Sequence, residues 1–341
     1  MFSNIRENSL LSSCFDNDIR MPIIQNNKYR PPFYLFNQHV ETIVPSALRK
    51  VKGVNYRRER IETRDDDFLD IDWIQNDNSR LIIASHGLEG SSDRPYILGI
   101  AKLFSQNNWD VLAWNCRSCS GEMNKKEFLY HHGFTQDVEE VVQKARFHNY
   151  KEIVLIGFSM GGSLTLKYVG ENSNNLYPEI KAAMAVSVPC NLSSSSKMLA
   201  LKKNKFYQNR FMRKLDLKLR AKNEQFPGLL EIKPWKDFNS FHEFDTHYSA
   251  KIFGFKDAQD FYDNVQCYPY LKDINIPTLI LNALNDPMLT GDCYPKNIAE
   301  QNQNISLELT KYGGHVGFLQ KKSPYTYAEE RAFEFFNNKV S

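Results

Sequence analysis

Apolar positions along the chain fall into two periods. Leu81–Ser85, Val111–Trp114, Ile153–Phe158, Ala182–Val188 and Thr278–Ala283 are mostly apolar, and Ser306–Leu309 alternates polar and apolar. Short runs of both kinds read as strands, the apolar ones covered on both faces. Between them, Pro95–Ser105 sets Ile97, Ile100, Ala101 and Phe104 at helical spacing, and Val138–Phe147, Ser163–Val169 and Tyr327–Asn337 also read as helices. Val51–Glu62 and Phe68–Ile74 form an opening antiparallel pair around the acidic turn Asp65-Asp66-Asp67. The alternation predicts the α/β class, with a mostly parallel eight-stranded sheet and helices on both faces.

The alternation breaks between about 191 and 268, where aromatic and charged residues replace the strand pattern. We expect a helical lid at 191–268 inserted into a core domain of residues 31–190 and 269–341, with residues 1–30 as an N-terminal extension. Lys197–Lys222 holds ten Lys or Arg against the single acid Asp216, a local charge of +9 that leaves −6 for the remainder of a +3 chain. One reading is a solvated helical face, with Leu199, Phe206, Phe211, Met212, Leu215 and Leu219 packing inward. The other is a cationic lid that favours an anionic lipid surface or a phosphate-bearing acyl thioester. The aromatics between Phe238 and Tyr262 are expected to form the lid core, some of them lining an acyl pocket.

Composition narrows the class. With 341 residues, 42% hydrophobic and 13% aromatic, the chain suits one large α/β domain with an insertion. A net charge of +3 gives no sign of a nucleic-acid partner. No window approaches the roughly 18 apolar residues of a membrane span. Met1–Arg20 is polar, so no signal peptide is expected. Six scattered cysteines (Cys14, Cys116, Cys119, Cys190, Cys267, Cys293) read as reduced thiols of a cytoplasmic protein. Oligomeric state is not legible.

The strongest chemical signal is Gly157-Phe158-Ser159-Met160-Gly161, directly after Ile153-Val154-Leu155-Ile156. A strand that stops on Gly-x-Ser-x-Gly is the pattern of a nucleophile elbow. Gly157 and Gly161 are small because the turn is too tight for side chains beside the serine, and Gly162 lets the following helix pack close. A serine hydroxyl needs a histidine base, itself oriented by a carboxylate. In sheets of this architecture the acid and then the histidine follow the serine. His315 lies in Tyr312-Gly313-Gly314-His315-Val316-Gly317-Phe318, after a late strand. Asp286 follows the Thr278–Ala283 strand and precedes Pro287; Asp292, Asp263 and Asp273 are its rivals. The oxyanion hole needs two backbone N–H groups. Met160 supplies one, at a helix N-terminus, and Leu88 the other, in Ser85-His86-Gly87-Leu88-Glu89-Gly90. His86 and Gly87 support that loop; His86 is read as bonding loop backbone.

Other patterns are set aside. Cys116-x-x-Cys119 has metal spacing but no second pair, so packing is the better reading and no metal is expected. His131-His132 are adjacent and read as loop-bonding residues. Gly87-x-x-Gly90 lacks the Lys-Ser/Thr of a phosphate loop, and no cofactor is expected.

Several segments together resemble a known family. His-Gly-Leu-Glu-Gly-Ser (86–91), Cys-Arg-Ser-Cys-Ser-Gly (116–121), Tyr-His-His-Gly (130–133), Gly-Phe-Ser-Met-Gly-Gly (157–162) and Gly-Gly-His-Val-Gly-Phe (313–318) are similar to the YheT-type α/β-hydrolases. These are bacterial relatives of eukaryotic hydrolases that act on lipids. Asn37-Gln38-His39-Val40-Glu41-Thr42-Ile43-Val44-Pro45 resembles their N-terminal segment. The resemblance spans about 30–335 and implies an α/β-hydrolase fold and a serine ester hydrolase with Ser159, Asp286 and His315 as triad. Two departures concern loop packing: Cys116-Arg117-Ser118 replaces the family's Phe-Arg-Gly, and Cys267 stands where a serine is usual. Eukaryotic members often carry an N-terminal anchor; none is expected here. The expected substrate is a small-molecule or lipid ester with a short- to medium-chain acyl group. Acyl transfer by the same triad and a non-catalytic binding role are the alternatives. Peripheral membrane contact through the basic lid segment is a further expectation.

Overall fold

The structure, a computed structural model, describes residues 22–26 and 28–339. Met1–Arg20 and Cys14, which carry the expectations about a signal peptide and the first thiol, lie outside them. In chain order the elements are β1 (Ile23–Asn26), α1 (Gln38–Leu48), β2 (Arg57–Glu62), β3 (Phe68–Ile74), β4 (Arg80–Ser85), α2 (Pro95–Ser105), β5 (Asp110–Trp114), α3 (Thr135–Arg146), β6 (Glu152–Phe158), α4 (Met160–Glu171) and β7 (Ile180–Val186). Helices α5 (Leu192–Ala200), α6 (Lys205–Gln225), α7 (Phe241–His247), α8 (Ser249–Ile252) and α9 (Ala258–Val265) follow. The chain then returns through β8 (Thr278–Ala283), α10 (Lys296–Gln301), β9 (Ile305–Thr310) and α11 (Tyr327–Lys339).

The sheet runs β1-β9-β8-β7-β6-β4-β5-β3-β2 and is parallel from β5 to β1, with β3 antiparallel to both β5 and β2. Among the described residues it therefore has nine strands where eight are expected. The additional strand is β1, four residues inside the stretch read as an extension, pairing parallel with β9 at Ile23–Leu307 through Asn26–Thr310. So short a run, held at a sheet edge by another segment's backbone, has no period of its own to detect.

Side chains alternate across the sheet with period two. Ile82, Val111, Val154 and Leu279 pack under α2 and α11, against Ile100, Phe104 and Phe336. Leu81, Leu112, Leu155 and Ile280 face the opposite layer, with Val138, Val141, Leu164 and Tyr168 of α3 and α4. Full burial of each such side chain stabilises the fold by about 1.5–3 kcal/mol. The outer strand β2 is instead charged. Arg58 and Arg60 sit directly opposite Asp72 and Asp70 and pair with them at 2.8 and 2.7 Å, which protects the edge from other strands.

Two arginines, Arg117 buried and Arg49 half-buried, lock connections onto this frame. Arg117 binds Asp65 at 2.7 Å, Asp67 at 2.9 Å and Asp137 at 2.7 Å, so the acidic β2–β3 turn is an ion-pair anchor for the Cys116–Ser120 loop. Arg49 holds the fully buried Glu329 with two bonds of 2.5 and 2.7 Å, fastening the end of α1 to α11. Glu329 occupies the space where a Cβ on Gly99 would stand.

The basic segment departs from the solvated-face reading in both directions. Met212 and Leu219 are buried and Leu199, Phe211 and Leu215 pack inward, but Phe206 is 59% exposed. Several of the lysines turn in: Lys222 is buried and donates to the Asn124 and Lys126 carbonyls at 2.6 and 2.5 Å. Burial pulls its ammonium down to about 8. Among the described residues no helix is long and apolar enough to cross a membrane.

Candidate active site

Strand β6 ends at Phe158 and α4 begins at Met160, so Ser159 alone makes the turn. Its φ of 54° and ψ of −119° lie in a region that non-glycine residues rarely occupy, at a cost of roughly 1–3 kcal/mol. The surroundings over-determine it. A Cβ on Gly157 would overlap the Gly161 carbonyl, and one on Gly161 would overlap the Ser85 carbonyl and stand 2.5 Å from the His86 oxygen. The Ser159 amide donates to the Val186 carbonyl of β7 at 2.8 Å, leaving the hydroxyl projecting beyond the strand ends.

His315 lies between Ser159 and Asp286. Its Nε2 is 2.9 Å from Ser159 Oγ and its Nδ1 is 2.8 Å from Asp286 Oδ2. The Asp286 side chain is fully buried, and its other oxygen accepts the Met288 amide at 2.8 Å. With Nδ1–H directed at the carboxylate, Nε2 is left as an acceptor for the serine proton. Among the rivals, Asp292 lies in the short 3₁₀ turn beginning at Gly291, and Asp263 accepts from Gln259 on α9.

The loop that carries His315 is clamped by α1, whose role the sequence reading missed. Asn37 caps α1 through bonds to the His39 and Val40 amides. That helix presents Glu41 and Thr42, both buried. Glu41 Oε2 accepts the Gly313 amide at 2.6 Å, and both Glu41 oxygens accept from Asn285 Nδ2 at 3.1 Å. Asn285 Oδ1 accepts the Gly314 amide at 3.1 Å, and Thr42 Oγ1 accepts the His315 amide at 2.9 Å. Ser187 Oγ accepts the Val316 amide at 3.0 Å. Gly314, at φ +57°, leaves room for Thr42, whose Oγ1 would lie 2.7 Å from an added Cβ. The one signal for this clamp in the sequence is the Asn37–Pro45 segment, which carries the family resemblance without revealing its contacts.

Leu88 and Met160 bracket the serine from the ends of β4 and β6. Among the described residues neither amide donates to a protein acceptor, so both are available to a substrate oxygen. The Leu88 loop approaches closely enough that a Cβ on Gly87 would stand 3.1 Å from Ser159 Cβ. His86 is fixed at both nitrogens: Nδ1 donates to the Gly87 carbonyl at 2.7 Å and Nε2 accepts the Cys116 amide at 3.0 Å. Burial pushes it down to about 4, so it stays neutral between the Gly87 carbonyl and the Cys116 amide. Glu89, at φ 55°, is held from two sides. Its amide donates to Tyr130 Oη at 3.0 Å, and the hydroxyl donates back to Oε1 at 2.6 Å. Lys218 of α6 pairs with the same oxygen at 2.8 Å, and Lys214 donates to the Glu89 carbonyl at 3.0 Å. Basic residues of α6 thus brace the Leu88–Glu89 loop.

Two hollows meet at Ser159 and share Leu88, Phe211, Met288 and His315. One lies beneath α5–α9 and is lined by Leu199, Leu215, Phe241, Phe261, Tyr262 and Leu289. His131 and His132 also line it, and burial holds them down at about 3 and 4, as neutral walls. The other runs between α1, the Leu88–Arg94 loop and α6, and is lined by Arg94, Tyr207, Arg210 and Lys214. Cys116 is buried and Cys119 half-buried as packing residues, and the described residues contain no cluster able to hold a metal ion.

A mostly parallel sheet with a serine at the turn after β6, an acid after β8 and a histidine after β9 defines an α/β-hydrolase. The family profile for the alpha/beta hydrolase fold matches residues 80–322, and the chain belongs to that family. Within it the chain is YheT-like: it is 30% identical to YheT of Escherichia coli over 83% of this chain and 84% of that protein. It is also 28% identical to human phospholipase ABHD3 over 88% of this chain and 75% of that one. To the monoacylglycerol lipase of Saccharomyces cerevisiae it is 28% identical, over 87% of this chain and 68% of the other. Among solved structures, the Pyrococcus furiosus esterase Pf2001 superposes with a TM-score of 0.58 at 18% identity, covering 93% of this chain and all of the esterase, a likeness of fold.

Proposed function

We propose that this YheT-like ester hydrolase cleaves carboxylic esters with short- to medium-chain acyl groups, or lipid-like esters, through an acyl-enzyme on Ser159. The observation that carries the reading is His315 within 2.9 Å of Ser159 Oγ and 2.8 Å of the buried Asp286 carboxylate. Nε2 takes the hydroxyl proton as Oγ attacks the ester carbonyl, and Asp286 stabilises the imidazolium that forms. The Leu88 and Met160 amides receive the charge on the carbonyl oxygen, aided by the α4 N-terminus. The imidazolium then protonates the departing alcohol. Water, deprotonated by the same nitrogen, attacks the acyl-enzyme, and collapse of the second intermediate returns the proton to Ser159. The names of the phospholipase and lipase relatives favour a lipid-like ester.

In the same reading, residues 191–268 act as the lid, and the apolar hollow beneath them takes the acyl chain. Phe33, Phe36, Leu201 and Phe206 are exposed, with Lys202 and Lys203 beside the latter pair, a combination suited to peripheral contact with an anionic membrane. The free thiols of Cys116, Cys119, Cys190, Cys267 and Cys293 suit a cytoplasmic setting.

The test is hydrolysis of p-nitrophenyl esters of rising acyl length by wild type and Ser159→Ala, with fluorophosphonate labelling in parallel. The variant is expected to lose at least about 10³-fold in kcat and all labelling. Full turnover by Ser159→Ala overturns the mechanism.

A further inference from the structure

Helix α6 divides the site by charge. Arg210 and Lys214 are one turn apart on one face and line the hollow against α1, while Leu215 lines the apolar one and Phe211 faces both. Arg94, from the loop before α2, faces Arg210 and Lys214 across the first hollow. We infer that Arg94, Arg210 and Lys214 form a phosphate-binding subsite that holds an anionic group on the alcohol portion of the ester, while the acyl chain lies in the apolar hollow. The inference rests on the ester-hydrolase reading above.

The charge balance of the hollow supports this. Four cationic side chains and one carboxylate line it. Arg49 is taken by Glu329, and the carboxylate, Glu89, is engaged by Lys218 and Tyr130. No carboxylate within ion-pair distance serves the other three among the described residues. Arg94 donates to the neutral Ser46 hydroxyl at 2.7 Å. Lys214 spends one of its three protons on the Glu89 carbonyl. Arg210 has neither a hydrogen bond nor an ion pair among the described residues. The three also repel one another. Burial, then Arg94 and Arg213, hold Arg210 below its ordinary value. Lys214 is held down first by burial and then by Arg210 and Arg94, against the opposing pull of Glu89.

Like charges gathered without a counter-ion, beside a reactive serine, are stabilised by an anion. Two guanidinium forks and an ammonium match the several acceptor oxygens of a phosphate better than a neutral alcohol. Because the subsite and the apolar hollow lie against different faces of α6 and meet at Ser159 and Phe211, a bound ester is polarised. Its chain points under α5–α9 and its phosphate towards α1. The ligand class is an acyl ester of a phosphorylated alcohol, whether free in solution or presented as a lipid headgroup.

The experiment compares kcat/KM for hexanoylglycerol and hexanoylglycerol 3-phosphate, both monomeric, and adds phosphatidate in vesicles as a separate arm. The phosphorylated monomer is expected to be preferred by at least about tenfold. Arg210→Gln is expected to cut that ratio about tenfold, and Arg210→Lys to retain most of it, which a folding defect would not reproduce. Inorganic phosphate is expected to inhibit p-nitrophenyl hexanoate hydrolysis competitively, with a higher inhibition constant in Arg210→Gln. Preference for both the monomer and the vesicle assigns the site to the phosphate itself. Equal rates on the two monomers overturn the subsite, as does a preference confined to vesicles and kept by Arg210→Gln. Either result leaves the serine mechanism standing as long as Ser159→Ala is inactive. Turnover by Ser159→Ala instead overturns the mechanism on which the inference rests.

Discussion

Glu41 Oε2 accepts the amide of Gly313 at 2.6 Å, joining a buried carboxylate of α1 to the loop that delivers His315. The same carboxylate also accepts from Asn285, the residue beside Asp286. One side chain thereby sets the separation between the acid and histidine loops. Glu41→Gln replaces one accepting oxygen with a donor that opposes either the Gly313 amide or the Asn285 amide group. We predict a fall of about ten- to hundred-fold in kcat with KM little changed, as expected for a displaced but intact base. Steady-state kinetics on p-nitrophenyl butyrate checks this; a rise in KM at constant kcat contradicts it.

Lys218 and Glu89 form a second long-range link, from α6 to the loop of Leu88. Removing the carboxylate leaves the strained Glu89 position held by backbone bonds alone. Glu89→Ala is predicted to lower kcat by about tenfold or more through loss of a placed Leu88 amide. In a double-mutant cycle with Lys218→Met the two effects are expected to be strongly non-additive. Additive losses sink the idea that the pair acts as one brace.

His86 makes stability depend on pH in a stated direction. Burial lowers it from 6.5 to about 4 in the folded protein, so the unfolded chain binds the extra proton first. The stability it contributes is complete above about pH 6.5 and is lost as pH falls towards 4. His131 and His132, lowered to about 3 and 4, act in the same sense. Urea unfolding followed from pH 7 to 4.5 is expected to show stability falling with acid, and a shallower fall in His132→Gln. A slope unchanged by that substitution counts against the neutral-wall role.

Gly161 admits no side chain. Gly161→Ala forces a methyl group into the Ser85 and His86 carbonyls. Overpacking of this kind costs about 1–3 kcal/mol and turns the Met160 N–H out of its direction. A lowered Tm together with loss of fluorophosphonate labelling is the expected outcome; wild-type behaviour in both shows that the turn relaxes.

Leu199 and Phe241 line the apolar hollow. Leu199→Trp fills space there and is expected to shift the optimum on p-nitrophenyl esters to shorter acyl groups, while Phe241→Ala extends it. An unchanged chain-length profile in both variants places the acyl group elsewhere.

Much of this molecule is written locally. The central strands carry enough apolar residues to declare themselves, because a strand covered on both faces has no polar position. The elbow pattern is contiguous and so equally legible, although only Gly157 answers a clash within the turn, while Gly161 and Gly162 make room for Ser85 and Val188 of other segments. Asp286 and His315 are legible because each follows a recognisable strand on a loop at the same sheet edge.

What the tertiary structure alone decided has no such period. Glu41 meets Gly313 across 272 positions of chain, and it does so through a backbone N–H, which leaves no mark on the identity of its partner. The four residues of β1 become a strand only because β9 offers an unpaired edge. Lysines that read as a solvated face are drawn to Glu89 and to the Asn124 and Lys126 carbonyls, because those acceptors lie within reach once α6 crosses the site. Phe206, on the same helix, is left in solvent. Composition and spacing determined the sheet, the turn and the order of the reactive groups. Their exact separation, and the division of the site into an apolar and a cationic side, were decided by contacts between segments distant in sequence.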